Sequence, residues 1–374
     1  MKRAIVIVLD GCGAGAAPDA ARFGDHDGPS TLYHVWEFAG RLNAPNLERL
    51  GFLAAAGIPG VPEGRFGRLR ELSMGKDSVT GHWEMMGVVT ETAFPTYPNG
   101  FPTELVEAFT SAIGREVLAN RPASGTQIIQ EFGAEHIATA EPILYTSADS
   151  VFQIAAHEDV VPIETLYDWC RIARALCVPP HNVQRVIARP FLGSREEGFR
   201  RTERRKDFPL AAPANLLDQI GDVDGIGVVP ELFDGRGFRL RRRTQSNAEH
   251  EVALLEALQG DARFIFANFE DFDMLYGHRN DPAGFALALE AFDRFLDRLL
   301  DKLAPDDLLM LTSDHGNDPT TPSTDHSREY VPVALFGSGV LPANLGDVDG
   351  MTAVGATVAT HLGVEWPVGK NLLA

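Results

Sequence analysis

Three short apolar runs in this chain each end on an acidic residue. Arg3–Leu9 (RAIVIVL) runs into Asp10, Arg263–Phe269 (RFIFANF) into Glu270-Asp271-Phe272-Asp273, and Asp307–Thr312 (DLLMLT) into Ser313-Asp314. Each run has strand length and is apolar almost throughout, the pattern of a strand covered on both faces, as in a parallel sheet. Val331–Gly337 (VPVALFG) and Gly225–Val229 read as further strands. Helical signals separate them. Asp281-Pro282 reads as an N-cap followed by Pro in the first turn, and Phe285, Leu289, Phe292, Leu296, Leu299 and Leu303 then keep helical spacing. Ser246 with Glu249 reads as a capping box ahead of Val252, Leu255 and Leu258. Strands alternating with helices predict an α/β fold with a mostly parallel sheet and helices on both faces.

At 374 residues the chain is long enough for two domains, or for one large domain with an insertion. From about Thr96 to Pro213 the texture changes: a strand-like run (Pro142–Thr146), helical stretches and the Arg-rich segment Arg195–Arg205 interrupt the sheet pattern, which resumes near Leu216. The expected organisation is a discontinuous core, 1–96 and 214–374, carrying a smaller inserted α/β domain over 97–213. Composition narrows the function. The formal charge of −19 disfavours a nucleic-acid partner, because the long-range field repels phosphate backbones. No run of eighteen apolar residues occurs, so no membrane span is expected, and the first apolar run is too short and too soon followed by charge to read as a signal peptide. Three cysteines (Cys12, Cys170, Cys177), an odd number without a CxxC pair, fit a reducing cytoplasm better than a disulfide framework or a thiolate zinc site.

Ligands of open α/β sheets bind beyond the carboxyl ends of the strands. Three such ends here deliver Asp10, Asp273 and Asp314, with His278, His315 and His326 close by in sequence. Three converging carboxylates repel strongly unless cations lie between them. Adding three imidazoles makes a mixed oxygen and nitrogen set suited to first-row divalent ions such as Mn, Zn, Fe or Co. Six ligands point to two ions about 3.5–4 Å apart, the arrangement that serves phosphoryl transfer. Singly, residues of these types are more often capped turns, surface charges or core histidines than ligands. A metal pair also calls for a nucleophile, and Gly75-Lys76-Asp77-Ser78-Val79-Thr80-Gly81-His82 offers two hydroxyls in a Gly-flanked loop. The plainer reading has Ser78 or Thr80 as a helix N-cap.

The chain resembles the phosphopentomutases of the alkaline-phosphatase superfamily. The resemblance spans nearly the whole length through VLDGCGAGAAPDA, GKDSVTGHWEMMG, RPASGTQII, YTSADSVFQIAAHE, VIARPF, DFDMLYGHRND and TSDHGNDPTTPSTDHSRE. It implies one metal site at Asp273, His278 and His326 and another at Asp10, Asp314 and His315. Ser78 takes the place of the family's phosphorylated, metal-bridging threonine, keeping the hydroxyl and losing a methyl; Thr80 is the second choice. The resemblance further implies two Mn²⁺ ions (other divalent ions are possible), a phosphoenzyme, a sugar bisphosphate activator, and interconversion of (deoxy)ribose 1-phosphate with (deoxy)ribose 5-phosphate. The inserted domain would be a cap that holds the sugar and excludes water. Ser147 and Asp149 would meet sugar hydroxyls, and Arg189 and Arg201 the distal phosphate.

The sequence departs from the family pattern at Val228, where a lysine is usual, and at Arg204 and Lys206, expected to add positive charge near the phosphate site. Cys12 lies two residues past Asp10 without a sulfatase-type Cys-x-Pro-x-Arg pattern and reads as a packed turn residue. The partners expected are small sugar phosphates alone, with no nucleic acid, membrane or protein partner. Two other readings stay open: a metal-dependent phosphohydrolase, or mutase of another sugar phosphate, on the same core; and a non-catalytic metal-binding relative.

Overall fold

The computed structural model describes residues 2–147, 149–337 and 339–374. Its contacts divide the chain into two compact units, 1–93 with 212–374, and 94–211. Among the described residues fourteen strands are formed. The first segment supplies β1 (Arg3–Leu9) and β2 (Arg65–Arg70). The second unit supplies β3 (Leu118–Pro122), β4 (Ile143–Thr146), β5 (Val151–His157), β6 (Arg185–Ser194), β7 (Gly198–Arg201) and β8 (Lys206–Pro209). The last segment supplies β9 (Val223–Ile226), β10 (Phe238–Arg242), β11 (Phe264–Phe269), β12 (Asp307–Thr312), β13 (Val331–Gly337) and β14 (Ala343–Asp349).

In the first unit eight strands form one sheet in the order β10-β9-β11-β1-β12-β13-β2-β14. β1 lies between β11 and β12 and runs parallel to both. All seven of its residues are buried, which is why its sequence shows no polar alternation. Ile5, Ile7 and Leu9 enter an apolar cluster with Phe269, Phe285, Leu289, Phe292 and Leu296, so the Pro282–Leu300 helix covers that face of the sheet. The Thr352–Leu362 helix, also buried, contacts β1 from outside this cluster. Only β13 runs antiparallel to its neighbours. Because β11, β1 and β12 are adjacent and parallel, Asp10, Asp273 and Asp314 all leave from the same end of the sheet.

Local chemistry departs from the sequence reading in two places. β9 begins two residues before the run at Gly225, and Val229 instead opens a short helix, Val229–Leu232. Ser246 does cap the Asn247–Ala257 helix by accepting from the Glu249 N–H, but the Glu249 carboxylate accepts from Gln245 and not from Ser246, so the reciprocal half of the box is displaced by one residue.

In the second unit β3-β4-β5-β6-β7 form a sheet, with β8 paired to β6. Period-2 alternation sorts its two faces. Leu144, Phe152 and Ile154 pack with Phe109 and Trp169 of the Thr103–Ile113 and Ile163–Leu176 helices. Ile143, Tyr145 and Ala155 pack with Ile128 and Ile129 of the Gly125–Thr139 helix. Among the described residues no helix is long and apolar enough to cross a membrane.

Candidate metal centre

The chain turns sharply after β1. Gly11 takes the left-handed conformation (φ +72°), and a Cβ there would approach Asp273 and Asn317 to 3.2 Å. Its N–H donates to Asp314 Oδ1 at 3.1 Å, tying the end of β1 to the end of β12. His315 stands between them: its Nε2 is 3.4 Å from Asp10 Oδ1 and 3.3 Å from Asp314 Oδ2. Its Nδ1 donates to the Gly316 carbonyl, which leaves the Nε2 lone pair facing the carboxylates. His278 repeats the device, with Nδ1 donating to the Thr324 carbonyl and Nε2 3.0 Å from Asp273 Oδ2. His326 Nε2 lies 3.5 Å from Asp273 Oδ1, and its ring stacks on His315 with centroids 3.9 Å apart.

Two sets of ligand atoms therefore come within 4.8 Å of one another: Asp273, His278 and His326, and Asp10, Asp273 and His315. Asp273 belongs to both. Asp314, grouped with Asp10 and His315 from the sequence, is in neither set, although its Oδ2 lies 3.3 Å from His315 Nε2; the reach of Asp273 into the second set was not anticipated. The donor set fits divalent ions on its own chemistry. Asp10 Oδ1, Asp314 Oδ2 and His326 Nε2 are buried and lack a hydrogen-bond partner, a costly state that a cation relieves. Electrostatics agree. Burial, with Asp314 and Asp273 nearby, pushes the Asp10 carboxyl well above its ordinary range. Burial would do the same to Asp273, but the His278 and His326 imidazoles beside it hold it well below. Burial presses His326 toward its neutral form, yet the Asp273 carboxylate outweighs it and raises the imidazole to about 9. The pocket calls for positive charge: Asp273 raises the His278 and His326 imidazoles toward their protonated forms, whereas burial pushes His315 toward its neutral form.

Ser78 is the first residue of the Ser78–Met85 helix, and its Oγ is 3.1 Å from His315 Nε2. Neither hydroxyl of this loop is the N-cap. Asp77 takes that role, accepting from the Val79 and Thr80 N–H groups. Thr80 is fully buried and donates to the Asp77 carbonyl, so its hydroxyl is occupied where that of Ser78 faces the metal ligands. His82, one turn on, donates from Nδ1 to the Ser78 carbonyl, with Asp314 Oδ2 3.5 Å away; burial lowers its pKa and keeps it neutral. The helix can come this close because residue 81 is glycine: a Cβ there would sit 2.3 Å from the Asp314 carbonyl oxygen. Gly81→Ala is accordingly expected to cost about 1–3 kcal/mol in denaturant unfolding and to lower activity, since the backbone on one side must move.

Two buried amides escaped the sequence reading. Asn268 Nδ2 donates to Asp10 Oδ2 at 2.6 Å, and Asn317 Nδ2 to Asp273 Oδ1 at 2.6 Å. Each fixes a ligand carboxylate. Asn268 left a signal: it is the one uncharged polar residue in a run predicted to be buried on both faces. Asn268→Ala is expected to weaken divalent-ion affinity by about 10–100-fold, read by competition with a fluorescent chelator.

The four residues expected at the sugar phosphate belong to the second unit. Ser147 and Asp149 lie between β4 and β5, half-buried and exposed. Arg189 on β6 donates to Gln153 at 3.0 Å, and Arg201 ends β7. Arg189 and Arg201 both lie near the buried Tyr145 hydroxyl, lowering its pKa against the larger upward push of burial. Among the described residues, no hydrogen bond or ion pair joins Ser147 or Asp149 to either arginine. The extra charge of Arg204 and Lys206 is spent locally, Arg204 on Glu158 at 2.8 Å and Lys206 over the Tyr167 ring at 5.0 Å. Val228 donates its backbone N–H to Glu270, whose other oxygen meets His250 Nε2 at 2.5 Å. Cys12 is a buried free thiol.

A sheet that gathers carboxylates and imidazoles at one end of its central strands around a hydroxyl defines a divalent-metal enzyme, and the profile of the Metalloenzyme superfamily matches residues 228–366, which carry five of the six candidate ligands. A solved protein of Pyrococcus horikoshii (17% identity, TM-score 0.52, 99% of each chain) and the phosphoglycerate mutase of Leishmania mexicana (14% identity, TM-score 0.50, 98% of this chain and 96% of that one) share its fold. That fold is the alkaline-phosphatase-like α/β core anticipated from the sequence. Among curated relatives, the phosphopentomutase of Dictyoglomus thermophilum is 52% identical over 347 residues, covering 90% of this chain and 88% of the relative. That of Anaeromyxobacter sp. (strain K) is 49% identical over 387 residues, covering 100% and 98%. The chain belongs to the phosphopentomutase family.

Proposed function

We propose that this protein is a phosphopentomutase, interconverting (deoxy)ribose 1-phosphate and (deoxy)ribose 5-phosphate by way of a phosphorylated Ser78 and a pentose bisphosphate. The observation that carries this reading is the Ser78 hydroxyl, held at a helix start 3.1 Å from His315 Nε2, which itself lies beside two carboxylate oxygens, Asp10 Oδ1 and Asp314 Oδ2, that lack hydrogen-bond partners. Asp273, His278 and His326 would hold one Mn²⁺, and Asp10, Asp314 and His315 the other, with Asp273 near both. Bound there, divalent ions lower the pKa of a hydroxyl and neutralise charge on a transferring phosphoryl group.

The protein's own residues do the rest. Phosphorylated Ser78 gives its phosphoryl group to the free hydroxyl of the incoming pentose phosphate: a new P–O bond forms to the sugar, the bond to Ser78 Oγ breaks, and the sugar proton passes to the departing serine oxygen. The bisphosphate then returns its other phosphoryl group to Ser78 in the reverse sense. A sugar bisphosphate activator would load the enzyme initially. His82, neutral and bonded to the Ser78 carbonyl, holds the turn that presents Oγ. Ser147 and Asp149 would bind sugar hydroxyls, and Arg189 and Arg201 the distal phosphate, where a planar fork matches phosphate oxygens.

Phosphorus NMR of ribose 1-phosphate incubated with enzyme, Mn²⁺ and a trace of sugar bisphosphate tests this reading. Ribose 5-phosphate should accumulate with little inorganic phosphate. Inorganic phosphate as the main product would make the protein a phosphohydrolase, and unchanged substrate a non-catalytic relative.

A further inference from the structure

Arg328, two residues beyond His326, is among the largest fully buried side chains, and the chemistry above does not use it. A buried guanidinium persists only when its donors are satisfied, and here they are. Nη1 donates to Glu71 Oε2 (2.7 Å) and to the carbonyls of Ser73 (2.8 Å) and Gly75 (2.6 Å). Nη2 donates to Asp19 Oδ2 (3.0 Å) and the Glu71 carbonyl (2.7 Å), and Nε to Asp19 Oδ1 (3.2 Å). The guanidinium lies over the Phe23 ring, 4.5 Å from its centroid. Its backbone N–H donates to Asp25 Oδ2 at 2.7 Å, and the same carboxylate receives Lys76 Nζ at 3.1 Å.

One side chain thus grips the 73–75 backbone, three residues from Ser78, while its own backbone continues the His326 loop. Apolar packing could join these segments as firmly. What the fork adds is a fixed angle, because a planar guanidinium accepts its partners in few orientations. We propose that Arg328 is a positioning residue for phosphoryl transfer: through the Ser73 and Gly75 carbonyls it sets where the Ser78 hydroxyl stands relative to the His326 loop. This rests on Ser78 being the phosphoryl acceptor.

The test compares Arg328→Lys with the parent chain, both loaded with Mn²⁺. Lysine keeps the charge and loses the fork. The expected result is a fall of about 100-fold in kcat, the scale of an ångström-sized misplacement, with KM and the bound metal per chain unchanged. Hydrogen exchange of the 73–81 amides should quicken about tenfold, while those of β1, β11 and β12 stay protected. Glu71→Gln, which changes the side chain that accepts from Arg328 Nη1 at constant size, should shift the same readouts in the same direction and decides the matter if Arg328→Lys does not fold. Unaltered kcat and exchange would overturn the proposal, as would metal loss in step with activity, which would make Arg328 a support for the His326 ligand alone. Exchange needs no substrate. A parent chain inactive on pentose phosphates would therefore sink the functional reading while leaving this test standing.

Discussion

Ser78→Ala is expected to lower pentose phosphate interconversion by on the order of 10⁴-fold or more, the scale seen when a covalent nucleophile is removed. Its bound metal and melting temperature should stay near those of the parent, because the Ser78 side chain caps nothing: Asp77 satisfies the first helical amides. Mass spectrometry after incubation with a sugar bisphosphate should find a phosphoryl group on the parent and none on the variant. Thr80→Ala should behave in the opposite manner. Its hydroxyl is buried against Asp77, so stability should drop by about 1 kcal/mol while the phosphoenzyme still forms. A phosphorylated Thr80, or Ser78→Ala with activity near the parent's, would overturn the assignment of the acceptor.

The second large effect is expected at Asp273. Among the described residues its carboxylate is the one group common to both sets of candidate ligand atoms, so Asp273→Asn should empty both positions and not only one. Activity should fall by at least ~10³-fold, since the charge that draws the ions and orients His278 and His326 is gone. The parent should lose about 5–10 °C in Tm on chelation, if each ion contributes a few kcal/mol, and Asp273→Asn should respond little to the same chelator. A variant that still binds two ions would show that Asp273 is not shared.

The candidate ligands were legible because strands buried on both faces leave only their ends for polar groups. Asp10, Asp273 and Asp314 stand out against the apolar runs before them, and the histidines follow within a few residues or in the next loop. Supporting contacts were not legible. Arg328 and Glu71 are separated by 257 positions, and nothing in either neighbourhood names its partner. The same holds for Asn317 beneath Asp273. Gly81 reads as a weak point in a helix until the Asp314 carbonyl is found against it. The local partners of Arg204 and Lys206 were not legible either: both were expected to add charge near the phosphate site, and the structure sets Arg204 on Glu158 and Lys206 over the Tyr167 ring. Capping went astray for a local reason, because Asp77, Ser78 and Thr80 are all competent caps and only the backbone decides which lies outside the helix.

The central claim is that Asp10, Asp273, Asp314 and their three imidazoles converge in order to hold a pair of divalent cations beside the Ser78 hydroxyl. Elemental analysis of active protein, freed of loosely bound ions by desalting, tests it directly. Two divalent ions per chain are expected, with activity lost on their removal and restored by Mn²⁺. Full activity in protein that contains no divalent ion would contradict the account.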